Sequence, residues 1–269
     1  MSELQIDKDG ATTVFTINRP ERMNALGRDM MAELTAGVQE FNRDPQQRVA
    51  VITATGDRAF STGFDLKEMA AGSGGAPTLP ISPGPDIAGL AATEKPVIAA
   101  VNGAAVSGGL ELALSCDIRI CTPDAWFGVF EVKRGFLAGV AVNVLPRLLP
   151  YGVAADMLLA GERLTADRAY QLGLVQAVVE PEALLDAALE RAATIATHSP
   201  TAVWGSKQIL QYWRNLQIAE QQRYYESVIH RVILSGDMLE GPRAFAEKRE
   251  PQFSDGWPTL PQAGSGSGR

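Results

Sequence analysis

Two glutamates stand where their carboxyl groups could carry acid-base chemistry. Glu111 falls in the first turn of a predicted helix, and Glu131 follows an apolar run that should be buried. A buried carboxyl group is costly unless it is paired or used, and two neighbouring ones raise each other's proton affinity. One can then hold a proton while the other acts as a base, which suits the addition of water across a double bond. The structural alternative is that Glu111 is a helix N-terminal charge and that Glu131 forms an ion pair with Lys133 or Arg134.

Two glycine segments would supply a second kind of group, which is the free backbone amide. Gly63 precedes a predicted helix start in segment 59–69 (AFSTGFDLKEM), and Gly108 and Gly109 precede a helix in segment 102–116 (NGAAVSGGLELALSC). The first N–H groups of a helix lack partners, and the helix dipole favours negative charge there. Two such termini aimed at one point would form an oxyanion hole for a carbonyl or thioester oxygen. The alternative for each glycine alone is that it only turns the chain.

Composition excludes several other kinds of chemistry. The 24 Lys and Arg against 31 Asp and Glu give a formal charge of −7, which argues against nucleic acid as a partner. The only cysteines, Cys116 and Cys121, cannot build a disulfide framework or a four-ligand zinc site, and we expect them to be buried fillers. The only histidines, His198 and His230, are expected to be structural or exposed. We therefore expect no metal site.

Known nucleophile and phosphate motifs are also missing from the sequence. There is no G-x-S-x-G elbow, no Walker A string and no complete G-x-G-x-x-G. No apolar run approaches the roughly 20 residues that a membrane-spanning helix needs. These observations predict a cytoplasmic enzyme or carrier whose chemistry depends on carboxyl groups.

The elements that would position these residues alternate between strand and helix in the first half of the chain. Residues Met30, Leu34, Val38 and Phe41 recur at helical spacing and predict a helix over 28–42. A tight turn at 102–103 is followed by a short helix that opens at Gly108 and Gly109. Strands are predicted by β-branched, apolar runs at 13–18, 48–55, 96–101 and 117–122.

The second half of the chain is predicted to be helical. Thr165 is the expected N-cap of one helix. The segment 71–85 is rich in Gly, Ser and Pro and predicts a surface loop. An α/β core followed by a helical region is the architecture that this pattern implies. Its helices are predicted at 154–160, 165–172, 182–196, 200–212, 216–234 and 237–249.

Together these segments resemble the crotonase, or enoyl-CoA hydratase, family. The resemblance rests on both glycine segments with their glutamates, on LAGERLTADRAYQLGLVQAVV (159–179) and on FAEKREP (245–251), and it extends from about residue 4 to about residue 254. It implies an α/β fold, a spiral of strand-strand-helix repeats with a C-terminal helical trimerisation region. The implied organisation is a spiral core at 1–198, a trimerisation region at 199–255 and a flexible tail at 256–269.

The resemblance also assigns roles to individual residues. It implies that Glu111 and Glu131 are catalytic and that the amides of Phe64 and Gly108 form the oxyanion hole. Both glutamates matter, because isomerases of the family often retain only the second. Lys248 resembles a residue at the phosphate end of CoA that sometimes comes from a neighbouring subunit. The implied acyl-CoA contacts are Arg22, Met23, Ala25, Thr62, Asp65, Leu66, Lys67, Gly109 and Lys248.

The sequence departs from the family pattern after the second glutamate. Phe130 stands where proline is usual, and a glycine-rich turn is replaced by a bulkier stretch from Gly135 through Gly139 to Asn143. Added volume at a pocket wall should change the acyl preference and could exclude the catalytic water.

The resemblance implies an enoyl-CoA hydratase that adds water syn across a trans-2-enoyl-CoA to give a 3-hydroxyacyl-CoA. One alternative is a carnitinyl-CoA dehydratase, because STGFDLK and EGPRAFAEKREP are similar to that branch. Two others are an isomerase that uses Glu131 alone and a non-catalytic acyl-CoA binding protein. The expected partners are an acyl-CoA substrate and copies of the chain, in a homotrimer or a dimer of trimers, with neither nucleic acid nor membrane. The resemblance implies no separate cofactor, because coenzyme A is part of the substrate.

Overall fold

The computed structural model describes residues 2–68, 86–216, 218–254 and 256. The loop predicted at 71–85 lies outside these residues. The last residue of the helix start predicted at 65–69 and all of the predicted tail except Gly256 lie outside them as well.

Two sheets contain the strands of the described chain. The strands are β1 (Leu4–Asp9), β2 (Thr12–Ile17), β3 (Val49–Ala54), β4 (Ala59–Ser61), β5 (Val97–Val101), β6 (Ala104–Val106), β7 (Ile118–Cys121), β8 (Trp126–Gly128), β9 (Arg163–Thr165) and β10 (Ala177–Val178). The larger sheet has six strands in the order β1-β2-β3-β5-β7-β10, and the smaller sheet has four in the order β4-β6-β8-β9. In the larger sheet only β1 and β2 pair antiparallel.

The chain builds these sheets as a spiral. The strands β3, β5 and β7 lie parallel in the larger sheet, and each is followed by a short strand, β4, β6 or β8, that lies parallel to its equivalents in the smaller sheet. Parallel neighbours need a connection that returns to the same end of the sheet. Each turn of the spiral makes that return, so the carboxyl ends of β4, β6 and β8 meet along one edge.

Helices surround the spiral and continue beyond it. Short 3-10 helices lie at Pro20–Arg22, Glu131–Arg134 and Pro181–Ala183, and a π-helical turn lies at Asp156–Ala160. The α-helices are α1 (Arg28–Arg43), α2 (Gly108–Leu114), α3 (Val140–Leu148), α4 (Tyr151–Ala155), α5 (Ala166–Gln171), α6 (Leu184–Ala196), α7 (Pro200–Asn215), α8 (Ile218–Ser235) and α9 (Asp237–Glu247).

Burial of apolar residues in the core accounts for the elements that the sequence predicted correctly. The four apolar residues at helical spacing in α1 are all buried, and every residue of β3 is buried because helices or strands cover both faces of the larger sheet. On the outer face of this sheet, Leu184, Ala188 and Ala192 of α6 pack against β3 and β5. The side chain of Thr165 accepts a hydrogen bond from the Arg168 amide, which confirms it as the N-cap of α5.

The two cysteines and the two histidines have the surroundings that the sequence predicted. Cys116 and Cys121 are free thiols that are buried, as expected of fillers, and burial raises the pKa of each to about 12. His198 lies in the connection between α6 and α7, and His230 is exposed on α8. Both histidines therefore lie where the sequence predicted.

The structure adds one element near the site and corrects another. Residues 104–106 form β6, which the sequence did not predict, because pairing with β4 and β8 fixes their extended backbone. The helix after them opens at Gly108 as predicted. The stretch from Gly135 to Asn143 was interpreted as a bulky turn, but its last four residues begin α3, even though that helix contains Pro146. Its apolar face, with Val140, Ala141, Val144 and Leu145, is fully buried, and this burial outweighs the low helix propensity of valine and proline.

Candidate active site

The carboxyl ends of β4, β6 and β8 open into one cavity of about 800 Å³. Phe64 follows β4, Gly108 follows β6 and Glu131 follows β8, and all three line the cavity. Ligands of sheets with parallel strands commonly bind at this end of the strands. Residues far apart in sequence therefore converge because the spiral repeats the same strand ending three times.

Two glycines allow the first two strand endings to touch. Gly63 has a positive φ of 87°, and a Cβ atom there would lie 2.9 Å from the amide nitrogen of Gly108. A Cβ atom on Gly108 would in turn lie 3.0 Å from the Phe64 ring. Because neither position carries a side chain, the backbone at 63–64 approaches the first residue of α2 closely.

This approach brings together two backbone amides that no protein group uses. In the described part of the chain, neither the amide of Phe64 nor that of Gly108 has a hydrogen-bond acceptor. The neighbouring amides of Gly63 and Asp65 do have acceptors, in the side chain of Ser61 and the carbonyl of Leu26. Two free donors at one point of a cavity can hold an oxygen that gains negative charge.

Glu111 lies in α2 with only 5% of its surface exposed. Its carboxyl oxygen accepts a hydrogen bond of 2.9 Å from the amide of Ala141, in the first turn of α3. Burial raises the pKa of Glu111, while hydrogen bonds from the amides of Ala141, Val140 and Gly139 partly oppose the rise. The residues that seemed to form a bulky turn are thus the helix start that holds this carboxyl group.

Glu131 opens the 3-10 helix that follows β8. Its carboxyl oxygen accepts a hydrogen bond of 3.0 Å from the Ser107 hydroxyl, and that hydroxyl accepts one of 3.2 Å from the amide of Phe130. Burial is the largest cause that raises the pKa of Glu131, from 4.5 to about 8, and the charge of Glu111 adds to it. The Ser107 hydrogen bond acts in the opposite direction.

Ser107 is a site residue that sequence reasoning missed. It occupies φ 52° and ψ −126°, a conformation that costs a residue with a side chain of order 1–3 kcal/mol. The strain turns the chain from β6 into α2 and aims the hydroxyl at Glu131. Its position next to Gly108 was the only signal in the sequence, and a serine before a helix ordinarily indicates an N-cap.

Phe130 stands where proline is usual, and its backbone amide donates a hydrogen bond to Ser107. The Phe130 amide fixes the Ser107 hydroxyl as an acceptor on one side, so its proton is directed at Glu131. Proline has no N–H and could not make this hydrogen bond. The Phe130 ring lines the cavity 5.8 Å from the ring of Trp126.

The ion-pair alternative for Glu131 is wrong. Lys133 donates to the carbonyl of Gly161 at 2.8 Å, and Arg134 lies over the ring of Phe245 at 4.6 Å from the ring centre. Among the described residues, neither cation forms a salt bridge with Glu131. Glu111 does lie in the first turn of α2, as the structural alternative expects, and its carboxyl group accepts a hydrogen bond from the start of α3.

One end of the cavity is lined by most of the residues that the resemblance assigned to CoA. Asp65 is nearly buried and pairs with Arg19 and Arg22, each at 3.3 Å. Its other oxygen accepts from the amides of Lys67 and Glu68, so this side chain fixes the local turn as well as lining the cavity. The residues that reach the cavity here are Arg22, Met23, Ala25, Thr62, Asp65, Leu66 and Lys67.

Two assigned residues do not reach the cavity of this chain. Gly109 packs on Ser61, and a Cβ atom at Gly109 would overlap the Ser61 carbonyl, so its glycine serves close packing. Lys248 is exposed and ends α9 with a left-handed φ of 54°. The contact between Lys248 and CoA therefore stays a prediction.

The C-terminal helices cover the other end of the cavity. Tyr225 and Ile229 of α8 and Met238 of α9 form a small apolar cluster packed against Phe136 and Leu137. Burial raises the pKa of the Tyr225 hydroxyl further above 10. The sequence predicted these helices as an oligomerisation region and missed their contribution to the cavity, since their apolar residues carry no signal that distinguishes the two roles.

The described residues contain neither a metal-binding cluster nor a membrane-spanning helix. Across residues 2–68, 86–216, 218–254 and 256, no group of three or more His, Cys, Asp or Glu side chains could hold a metal ion. In the same part of the chain, none of the helices has the length and apolar character needed to span a bilayer.

Comparison with known proteins finds similarity along almost the whole chain. The family model described as enoyl-CoA hydratase/isomerase matches residues 7–256. The chain is 41% identical over 262 residues to a carnitinyl-CoA dehydratase of Salmonella arizonae, covering 94% of this chain and 99% of that protein. It is 40% identical over 240 residues to an (E)-benzylidenesuccinyl-CoA hydratase of Thauera aromatica, covering 88% and 93%. The solved structure of a carnitinyl-CoA dehydratase from Mycobacterium avium superposes with a TM-score of 0.81 at 37% identity, covering 95% of this chain and all of that one.

Proposed function

The chain belongs to the enoyl-CoA hydratase/isomerase family, and within it we propose that the protein is an enoyl-CoA hydratase. Its reaction would be the syn addition of water to a trans-2-enoyl-CoA to give a 3-hydroxyacyl-CoA. The observation that carries this proposal is one cavity with two carboxyl groups of raised pKa and two backbone amides without acceptors in the described chain.

The thioester oxygen would accept hydrogen bonds from the amides of Phe64 and Gly108. As water adds to the β carbon, electrons move from the double bond onto this oxygen, which becomes an enolate oxygen. Donors that are already oriented stabilise this charge without reorganising, which is worth roughly 10²–10³ in rate for one donor. The close approach of Gly63 to Gly108 supports this role, because it brings the two donors together.

The two glutamates would divide the proton transfers. Ionised Glu111 takes a proton from water as the water oxygen bonds to the β carbon. Glu131, held protonated by burial and by the charge of Glu111, gives its proton to the α carbon as the enolate collapses. The proton gained by one carboxyl group balances the proton lost by the other, and exchange with solvent restores the starting state.

The charged end of CoA would lie at the end of the cavity lined by Arg22 and Lys67. Both are cations at the surface of an acidic chain, with Arg22 48% exposed and Lys67 also exposed. We also propose a homotrimer or a dimer of trimers, in which a second copy of the chain would supply Lys248.

A carnitinyl-CoA dehydratase is the second candidate function. It is favoured by the 41% identity to such an enzyme over nearly the full length of both chains. The same pair of glutamates would then eliminate water from a 3-hydroxyacyl-CoA. An isomerase that uses Glu131 alone and a non-catalytic binding protein remain alternatives that the experiment below separates.

The experiment follows the ultraviolet absorbance of the enoyl thioester with crotonyl-CoA and longer trans-2-enoyl-CoAs. We expect the wild type to consume them and each of Glu111→Gln and Glu131→Gln to be slower by roughly 10²–10⁴-fold, because general acid and base catalysis contributes that much. Circular dichroism checks that both variants fold. Binding of every substrate without turnover would contradict the hydratase and favour the binding protein, and loss of activity in Glu131→Gln only would favour the isomerase.

A further inference from the structure

One cation lines the cavity beyond the reacting groups and has no role in the proposed hydration. Arg134 lies on the cavity wall, partly buried, three residues after Glu131. Among the described residues, no carboxylate lies within salt-bridge distance of its guanidinium group. Its side-chain contacts in this part of the chain are the carbonyl of Lys133, at 3.4 Å, and the face of the Phe245 ring.

The backbone places Arg134 on the same side as Glu131. Residues Glu131–Arg134 form a 3-10 helix, in which side chains three residues apart eclipse each other and the rise is about 2 Å per residue. Arg134 therefore starts about 6 Å along the axis from Glu131 and points toward the same cavity. A group on the acyl chain a few bonds from the reacting carbons lies within reach of it.

The backbone at Arg134 packs closely against α9. A Cβ atom at Gly241 of α9 would overlap the carbonyl group of Arg134, and one at Gly135 would overlap the carbonyl of Asp237. The two backbones are thus in direct contact at the carbonyl group of the arginine and at the residue after it. Stacking on Phe245 further limits the guanidinium group, so that it is prepared to bind an anion without losing much side-chain freedom.

Two aromatic rings of the cavity wall already bind cations of the protein. Lys133 lies 4.6 Å from the centre of the Phe130 ring, and Arg163 lies 4.0 Å from the centre of the Trp126 ring. Both rings line the cavity, whereas Lys133 and Arg163 do not. A cationic acyl group would therefore compete with the protein's own cations for these rings.

From these contacts we infer that the preferred acyl group carries a carboxylate, bound by the guanidinium group of Arg134 on the far side of the reacting double bond. This inference rests on the proposed function for the reacting end of the substrate. Arginine matches a carboxylate in geometry and can donate two parallel hydrogen bonds to it. Arg134 is then a specificity-determining residue, and a substrate with a quaternary ammonium group would be disfavoured.

The test compares three short enoyl-CoAs that differ in charge at the acyl end. Crotonyl-CoA is neutral, glutaconyl-CoA carries a terminal carboxylate, and 4-trimethylammoniocrotonyl-CoA carries a positive charge. We expect the wild-type kcat/KM to be highest for glutaconyl-CoA. Arg134→Gln should lower that value by about 10- to 100-fold, the range expected for a charge-assisted hydrogen bond, and change the value for crotonyl-CoA less than twofold.

Lys133→Gln is the matched control, because it removes the same charge one residue away, from a side chain that points to Gly161. It should leave the preference for glutaconyl-CoA in place. Equal losses for all three substrates in Arg134→Gln would overturn the inference and indicate that the arginine binds CoA itself. Preference of the wild type for the cationic substrate would overturn it too.

Binding measured by calorimetry separates this inference from the proposed function. If no substrate turns over, the hydratase proposal fails, but tighter binding of glutaconyl-CoA than of crotonyl-CoA that disappears in Arg134→Gln would still support a carboxylate site. Equal affinities in wild type and variant would contradict that site independently of any catalysis.

Discussion

Ser107 connects the two halves of the candidate site at the scale of single residues. Its backbone turns β6 into α2, where Gly108 offers a free amide, and its hydroxyl donates to the carboxyl group of Glu131. The Phe130 amide fixes the direction of that hydroxyl. One strained serine therefore couples the position of the oxyanion donors to that of the proposed proton donor.

The raised pKa of Glu131 predicts how hydration depends on pH. Below a pH of about 8 Glu131 holds its proton and can deliver it, and above this pH the proton is lost. We therefore expect kcat/KM to fall as the pH rises through about 8. Ser107→Ala removes a hydrogen bond that favours the ionised form, so it should move this fall to higher pH.

Ser115→Ala is the control for that experiment. The Ser115 hydroxyl is also buried, and it donates to the backbone carbonyl of Glu111 and accepts from the amide of Ile87. Among the described residues it forms no hydrogen bond with a carboxyl group. Its removal should leave the alkaline limb of the pH profile unchanged. A profile that does not move in Ser107→Ala would show that the serine does not influence the titrating group.

At the scale of elements, the site depends on contacts between the spiral and α9. The segment Glu131–Arg134 and the following Gly135 touch α9 through the backbone at Gly241 and at Asp237. These contacts leave no room for a methyl group and cannot relax by a change of rotamer, because the obstructing atoms are backbone atoms. The C-terminal helices therefore help to fix Glu131 as well as cover the cavity.

Gly241→Ala should separate α9 from this segment. We expect it to lower the free energy of unfolding by about 1–3 kcal/mol, as for other overpacked sites, and to reduce activity more than this loss alone explains. Thermal or urea unfolding and steady-state kinetics measure the two effects. Gly205→Ala in α7 is the control, since a Cβ atom there meets no neighbour and should stabilise the protein by about 0.5–1 kcal/mol. Wild-type activity in Gly241→Ala would contradict the positioning role.

Long, periodic elements were predictable from the sequence, and the three-residue strands around the site were not. The helix α1 and the strand β3 were located within one or two residues, because their buried faces follow a clear period. The strands β4, β6 and β8 have three residues each and exist only through pairing with one another. Glu111 was recognised as a candidate catalytic residue, but its hydrogen bond with the amide of Ala141 was not predicted. The reason is that the start of α3 was not recognisable as a helix, since it has no side-chain N-cap and begins with valine.

At the scale of the whole molecule, the C-terminal helices expose apolar side chains that a single chain leaves uncovered. Tyr212 is 73% and Trp213 is 61% exposed on α7, and Tyr224 is 74% exposed on α8. Large exposed apolar groups that cluster on neighbouring elements are typical of interfaces. In the proposed trimer, Lys248 would lie near the phosphates of a CoA held by another subunit. Its positive charge would locally offset the net charge of −7 on the chain.

We therefore expect light scattering to give three or six times the chain mass of 28.7 kDa. Trp213→Glu should shift the protein toward the monomer, because it buries a charge in the apolar contact. Tyr151→Glu changes an equally exposed aromatic residue, 78% exposed on α4, and should leave the mass unchanged. A wild type that is monomeric at micromolar concentration would contradict the proposed assembly.

We propose that Glu111 acts as the base and Glu131 as the acid, and exchange of the α proton distinguishes these two roles. In D₂O at a pD above the raised pKa of Glu131, its ionised carboxylate should remove the α proton of saturated butyryl-CoA and return a deuteron, without any need for Glu111. Mass spectrometry should therefore detect deuterium uptake with the wild type and with Glu111→Gln, but not with Glu131→Gln, while both variants lose hydration of crotonyl-CoA. Undiminished exchange in Glu131→Gln would contradict the proposed role of Glu131 in transferring the α proton.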